Sequence, residues 1–141
     1  MSLVRLGLVA SDYSQAIVQA GRPLVEHGFV HEDYLESMVR VVDELGPYIV
    51  LVEGFALAHA EPGEQVFRNG ISVGVLNREV DFGGGKMVKV VFALAATDHD
   101  AHISTLGSLA ELLADEDSRN LLLNAGDNAQ IENLLSGVLG E

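Results

Sequence analysis

The residues of this chain best suited to chemistry near neutral pH are its histidines, at positions 27, 31, 59, 99 and 102. His59 ends an apolar run, Gly46-Pro47-Tyr48-Ile49-Val50-Leu51-Val52-Glu53-Gly54-Phe55-Ala56-Leu57-Ala58, and is followed by Ala60-Glu61-Pro62. A single titratable ring at the end of a buried segment is held rigidly yet can face solvent. Its neutral imidazole is a nucleophile, and histidine is the commonest proton shuttle. His102 follows a second apolar run, Met87 to Ala96, inside Asp98-His99-Asp100-Ala101-His102. There it is expected in the first turn of a helix, at the C-terminal edge of a central strand. Ligands favour such edges in α/β sheets, and helix N-terminal amides favour anions. His59 and His102 are therefore expected to face each other across a small anion pocket.

The other constellations carry less. His27 and His31 bracket the Gly28-Phe29-Val30 turn, where a histidine can answer a helix dipole or cap the next helix, and both are read as structural. Asp98-His99-Asp100-Ala101-His102 packs metal-type donors closely but matches no common zinc spacing. Asp98 or Asp100 as N-cap of the following helix explains the acids without a metal. No Gly-x-Ser-x-Gly elbow surrounds Ser72 or Ser104, so a hydrolytic triad is not expected. Asp115-Glu116-Asp117 reads as a solvated helix cap.

The elements that must position the two histidines follow from periodicity. Tyr13, Ala16, Ile17, Ala20, Leu24 and Val25 recur at helical spacing after Ser11-Asp12, and Gly28 can end that helix. A second helix is predicted from about His31 to Leu45, with Tyr34, Met38, Val41 and Leu45 on one face and Gly46-Pro47 as its stop. Strands are predicted at Tyr48 to Val52, Phe55 to Ala58, Ile71 to Leu76 and Met87 to Ala96. Gly83-Gly84-Gly85 lacks the strand-to-helix context and the lysine and serine of a phosphate-binding loop, and is predicted as a hairpin tip. Helices are predicted from about Asp100 to Ala114, Glu116 to Asn124 and Asn128 to Val138. The expected architecture is α/β, a mixed central sheet sandwiched between helices on both faces.

Composition narrows the function classes. With 141 residues and 48% hydrophobic content, residues 1–141 are expected to form a single domain with enough core to fold alone. There is no cysteine, which excludes disulfides, thiolate metal sites and cysteine nucleophiles. No apolar run approaches the ~18 residues of a membrane span, so direct membrane insertion is not expected. The N-terminal segment is too short and weakly charged for a signal peptide, and a cytoplasmic location is expected. Acidic side chains number 21 against 8 basic ones, a net charge of −13, which repels nucleic acid and favours a partner with a basic patch.

Two elements in order resemble the enzyme IIA domains of the bacterial phosphoenolpyruvate-dependent sugar phosphotransferase system (PTS), in the mannitol/fructose superfamily and closest to its ascorbate-type branch. The family's Pro-Gly-x-Ala-x-Pro-His is similar to Glu53-Gly54-Phe55-Ala56-Leu57-Ala58-His59, and Gly46-Pro47-Tyr48-Ile49-Val50-Leu51 resembles the ascorbate-type Gly-Pro-Tyr-Phe-Val-Leu. Downstream, Ala95-Ala96-Thr97-Asp98-His99-Asp100-Ala101-His102 resembles Ala-Ala-x-Asp-x-x-x-His ahead of a Leu-rich helix. The similarity runs from about Ser11 to Leu139.

What the resemblance implies is a phosphoryl relay, a phosphotransferase with a phosphohistidine intermediate and no cofactor or metal. His59 would take a phosphoryl group from the phosphocarrier protein HPr and pass it to a IIB component, which with its membrane partner IIC phosphorylates an incoming, possibly ascorbate-like, sugar. His102 would be the second pocket histidine, stabilising the phosphoryl group. This chain departs from the pattern at Glu53 and Ala58, where the family has proline, and at Ala60 and Glu61, where Gly and a basic residue are common. In the mannitol branch an arginine stands where Val41 aligns. Glu53 and Glu61 beside a phosphohistidine would each disfavour it by ~1 kcal/mol. The alternative reading is a regulatory IIA-like module that binds partners without sugar transport.

Overall fold

The structure, a computed structural model, describes residues 2–139. Four strands, β1 (Val4–Leu8), β2 (Gly54–Ala58), β3 (Gly70–Asp81) and β4 (Met87–Ala95), form one sheet in the order β1-β3-β4-β2. β1 runs parallel to β3, β3 antiparallel to β4, and β4 parallel to β2. The sheet is mixed, as expected.

Alternation along the strands sends side chains to two cores. Ala56, Ala58, Val91 and Ala93 face α1 (Tyr13–Glu26) and α2 (Asp33–Leu45), where Ile17, Leu24, Leu35 and Met38 are buried. Phe55, Leu57, Val90, Phe92 and Leu94 face α3 (His99–Ala114), α4 (Glu116–Asn124) and α5 (Asn128–Leu139), through Leu109, Leu112, Leu122 and Ile131. The strands β2 and β4 are therefore apolar on both faces, which is why they read as continuous runs.

Caps set the helix starts. Asp12 accepts the Gln15 amide at 2.9 Å, Asp98 the Ala101 amide at 2.8 Å and Asp115 the Ser118 amide at 3.0 Å. The Nδ1 of His31 accepts the Asp33 amide at 3.1 Å, so this histidine does help to start α2. Gly83-Gly84-Gly85 is the β3–β4 hairpin tip: all three glycines have positive φ, and the Asp81 carboxylate takes the Gly83 and Gly85 amides.

The structure departs from the sequence reading in three places, one of them a strand that reading lacks. Tyr48 to Val52 is no strand; Pro47–Ile49 form one 3₁₀ turn, η1, because Gly46 at φ +85° and Pro47 start a turn. Val52 then pairs back with Phe55 across the Glu53-Gly54 turn. The second correction is β1, an edge strand that its Arg5 and its positive-φ Gly7 conceal from periodicity. The third is the buried face of α2: Tyr34, Leu35, Met38 and Val42 enter the core, while Leu45 is 67% exposed and Val41 only half-buried.

Candidate functional site

Sheet polarity brings the two histidines together. Because β2 and β4 are parallel neighbours, with Ala58 paired to Ala93, they end at the same edge of the sheet. His59 is the first residue past β2, while β4 continues to Ala95, turns over Ala96-Thr97, and enters α3 at the Asp98 cap. His102 lies in the first turn of α3. The His59 and His102 rings meet edge to face, with centroids 5.0 Å apart.

The backbone fixes the tautomer of His59. Its Nδ1 lies 2.9 Å from the Leu57 carbonyl oxygen, which can only accept, so Nδ1 carries the proton. The lone pair of the neutral ring is then on Nε2, toward solvent. The Tyr48 hydroxyl reaches that Nε2 at 3.4 Å, and its ring packs edge-on with centroids 6.0 Å apart. Sequence alone gives Tyr48 no role. Its only signal there was the Gly46-Pro47-Tyr48 element, and the 3₁₀ turn that aims it is not visible in periodicity.

His59 and His102 open into a hollow of ≈ 330 Å³ lined also by Val41, Glu44, Leu45, Glu61 and His99. Val41 and Leu45, expected on one face of α2 with Tyr34 and Met38, are walls of this hollow. Burial pushes the His102 imidazole below its ordinary range, the positive charges of protonated His59 and His99 add to this, and Glu61 opposes it. The two rings touch each other and together form part of the wall of this hollow, which is where an anionic group could meet both.

Of the acidic departures, Glu61 is at the site and Glu53 is not. Glu53 precedes β2 and His59 follows it, about 20 Å away at strand rise. It borders a different hollow, with Gly85 and Lys86. The expected repulsion from Glu53 is therefore withdrawn. Ala58, in place of a proline, is a paired strand residue, and the sheet ladder supplies the stiffness that the ring would have given.

A second hollow, ≈ 350 Å³, adjoins the first on the other side of His59 and is apolar: Ile49, Leu51, Leu57, Leu106, Gly107 and Ala110, with Tyr48. Leu45, Tyr48, Leu51 and Ile103, the residue after His102, are large apolar side chains left exposed. Among the described residues nothing covers these side chains. His27 and His31 lie outside this cluster. Among the described residues no set of three His, Cys, Asp or Glu side chains converges as a metal site.

The family model for the EIIA 2 component of the phosphoenolpyruvate-dependent sugar phosphotransferase system matches residues 1–138. The chain belongs to this family. The EIIA fold recognised from the two histidine elements is thus the observed one. The chain is 30% identical over 128 residues to the mannitol-specific cryptic phosphotransferase enzyme IIA component of Escherichia coli K12, covering 90% of this chain and 87% of that protein. It is also 30% identical to the ascorbate-specific PTS EIIA component of Mycoplasma pneumoniae, over 91% of this chain and 82% of the relative. Among solved structures it is similar to the mannitol enzyme IIA of Escherichia coli in its complex with phosphorylated mannitol enzyme IIB. That match has a TM-score of 0.83 and 27% identity, and covers 95% of this chain and 94% of that one. Equal identity to mannitol- and ascorbate-type relatives leaves the sugar branch of this EIIA chain undivided. No helix among the described residues is long and apolar enough to cross a membrane.

Proposed function

We propose that this EIIA chain, acting as one module over residues 1–141, carries a phosphoryl group on Nε2 of His59. It takes the group from phospho-HPr and gives it to a IIB component, in the cytoplasm. The observation that carries this reading is the 2.9 Å bond from His59 Nδ1 to the Leu57 carbonyl, which leaves Nε2 as the nucleophile at a solvent-open edge.

The Nε2 lone pair attacks phosphorus in line with the donor bond. The P–N bond forms as the donor bond breaks, and the electron pair of that bond leaves with the donor. His59 keeps its Nδ1 proton in the bond to Leu57, so the developing positive charge on the ring is shared with a carbonyl dipole. The arriving dianion makes protonation of His102 favourable, and the imidazolium then hydrogen-bonds a phosphoryl oxygen. Phosphoryl transfer asks mainly for such positioning and charge neutralisation. Transfer to IIB is the same step reversed onto a second acceptor.

The apolar patch of Leu45, Tyr48, Leu51 and Ile103 supplies docking contact, and Glu44 and Glu61 on its rim select a partner with basic groups. That the mannitol relative is found with its phosphorylated IIB supports the IIB step here. The sugar is selected by the membrane component and follows from no residue of this chain.

Incubation with phosphoenolpyruvate, enzyme I and HPr, followed by intact mass, tests the reading. The wild type is expected to gain one acid-labile phosphoryl group, His59→Ala none, and His102→Ala a slower gain. A folded wild type that stays unmodified beside charged HPr would favour the regulatory module instead.

A further inference from the structure

The β2–β4 ladder stops at Ala58 and Ala93, yet both histidines lie beyond it. One buried side chain bridges the gap. Tyr34 of α2, 1% exposed, donates its hydroxyl to the Leu94 carbonyl at 2.6 Å and accepts the Ala60 amide at 3.2 Å. Ala60 directly follows His59, and Leu94 immediately precedes the Ala95-Ala96-Thr97 passage into α3 and His102. Burial raises the Tyr34 hydroxyl to about 12, so it stays a neutral group able to donate and accept at once. Asn69 steadies the same passage further on, its Oδ1 accepting the Thr97 amide at 2.7 Å and the Thr97 hydroxyl at 3.1 Å.

We propose that Tyr34 is a positioning residue for phosphoryl transfer: beyond the last β2–β4 pair its hydroxyl ties the Ala60 backbone to Leu94, which β3 still holds in the sheet, and thereby sets the spacing of His59 and His102. The proposal rests on the carrier reading of His59. The Tyr34 hydroxyl bonds only backbone groups, and at 1% exposure the side chain cannot itself meet a partner. Its loss therefore loosens the reacting geometry without altering how a partner binds, and misplacement of this kind lowers turnover steeply.

The test compares wild type, Tyr34→Phe and Ser72→Ala. Ser72 is an equally buried hydroxyl, bonded to the Ala20 carbonyl at 2.6 Å, and it ties β3 to α1 in the same row of the sheet as Ala58 but two strands across from it, without bonding the Ala60 or Leu94 backbone. Transfer from phospho-HPr is followed over a range of donor concentrations. The nuclear Overhauser contact between the His59 and His102 rings is measured in the unphosphorylated proteins. Tyr34→Phe is expected to lower kcat about tenfold with KM unchanged and to weaken the inter-ring contact. Ser72→Ala is expected to leave both as in wild type. In the wild type the Ala60 amide should exchange slowly with solvent, a readout that needs no variant to fold. Wild-type kcat and ring contact in Tyr34→Phe, equal losses in both variants, or an unprotected Ala60 amide would each overturn the proposal. If the wild type itself accepts no phosphoryl group, the carrier reading fails, and the ring contact and Ala60 exchange still decide whether Tyr34 positions the pair.

Discussion

The hydroxyl of Tyr48 stands 3.4 Å from Nε2 of His59, on the nitrogen that the Leu57 carbonyl leaves without a proton. The contact is long for a hydrogen bond, so it orients the ring without tying up its lone pair. Tyr48 also belongs to the exposed apolar patch and is half exposed itself. One side chain thus touches both the proposed nucleophile and the proposed docking surface.

Those two roles separate by substitution. Tyr48→Phe is expected to leave the phosphorylation rate within about threefold and stability within about 0.5 kcal/mol, because only a weak contact is lost. Tyr48→Ala should raise KM for the phosphoryl donor about tenfold, the ~1.4 kcal/mol of a moderate interface anchor. Initial rates against donor concentration check both.

The histidine pair predicts a pH signature. The His102 ring should titrate below ordinary imidazole in the unmodified protein. His59→Ala, which removes a like charge, should raise it, yet not fully, since burial is the larger cause. Phosphorylation of His59 should raise it further. Because the native ring is the weaker base, the unfolded chain binds more protons between the native value and about 6.5. His102 therefore detracts nothing from stability above about pH 6.5, and stability falls as pH drops through that window. His102→Gln should flatten this part of the pH profile, measured by urea unfolding beside ring-proton titration.

Glu61 shares the hollow with both rings and is the one acidic departure that remains at the site. Glu61→Gln is expected to shift the phosphorylation equilibrium toward this chain about fivefold, from relief of ~1 kcal/mol of repulsion on the dianion. It should also lower the His102 titration, since Glu61 opposes the other causes there. Equilibration against limiting phosphoenolpyruvate gives the first readout and ring-proton shifts the second.

A stability prediction lies away from the site. A Cβ on Gly74 of β3 would meet Cβ of Ala20 and Cδ1 of Leu8, each at 2.8 Å. α1 approaches the sheet closely over that bare position. Gly74→Ala should cost about 1–3 kcal/mol, seen in thermal or urea unfolding, and leave the histidine geometry intact.

How far the sequence speaks depends on the range of the interactions involved. His59 and His102 were legible because each ends or follows an apolar run that local periodicity reveals, and Asp98 as a cap is a three-residue signal. The 3₁₀ turn at Pro47–Ile49 was not, since Ile49, Val50 and Val52 carry strand propensity that Gly46 at positive φ and Pro47 override. β1 is recognisable only through its pairing of Val4 with Val73, far along the chain. The extension of β3 to Asp81 passes Asn77-Arg78-Glu79, exposed residues that read as a loop, with an irregular register between Val75 and Val80. Tyr34 looked like one more apolar face residue, because what its hydroxyl bonds is set by tertiary structure alone.

The proposed carrier holds its phosphoryl group on one atom, and nitrogen-15 NMR of the phosphorylated protein reads that atom directly. A single modified ring is expected, His59, phosphorylated at Nε2 with its Nδ1 still protonated and bonded to the Leu57 carbonyl. Phosphate on Nδ1 of His59, on His102, or on any other residue would contradict it.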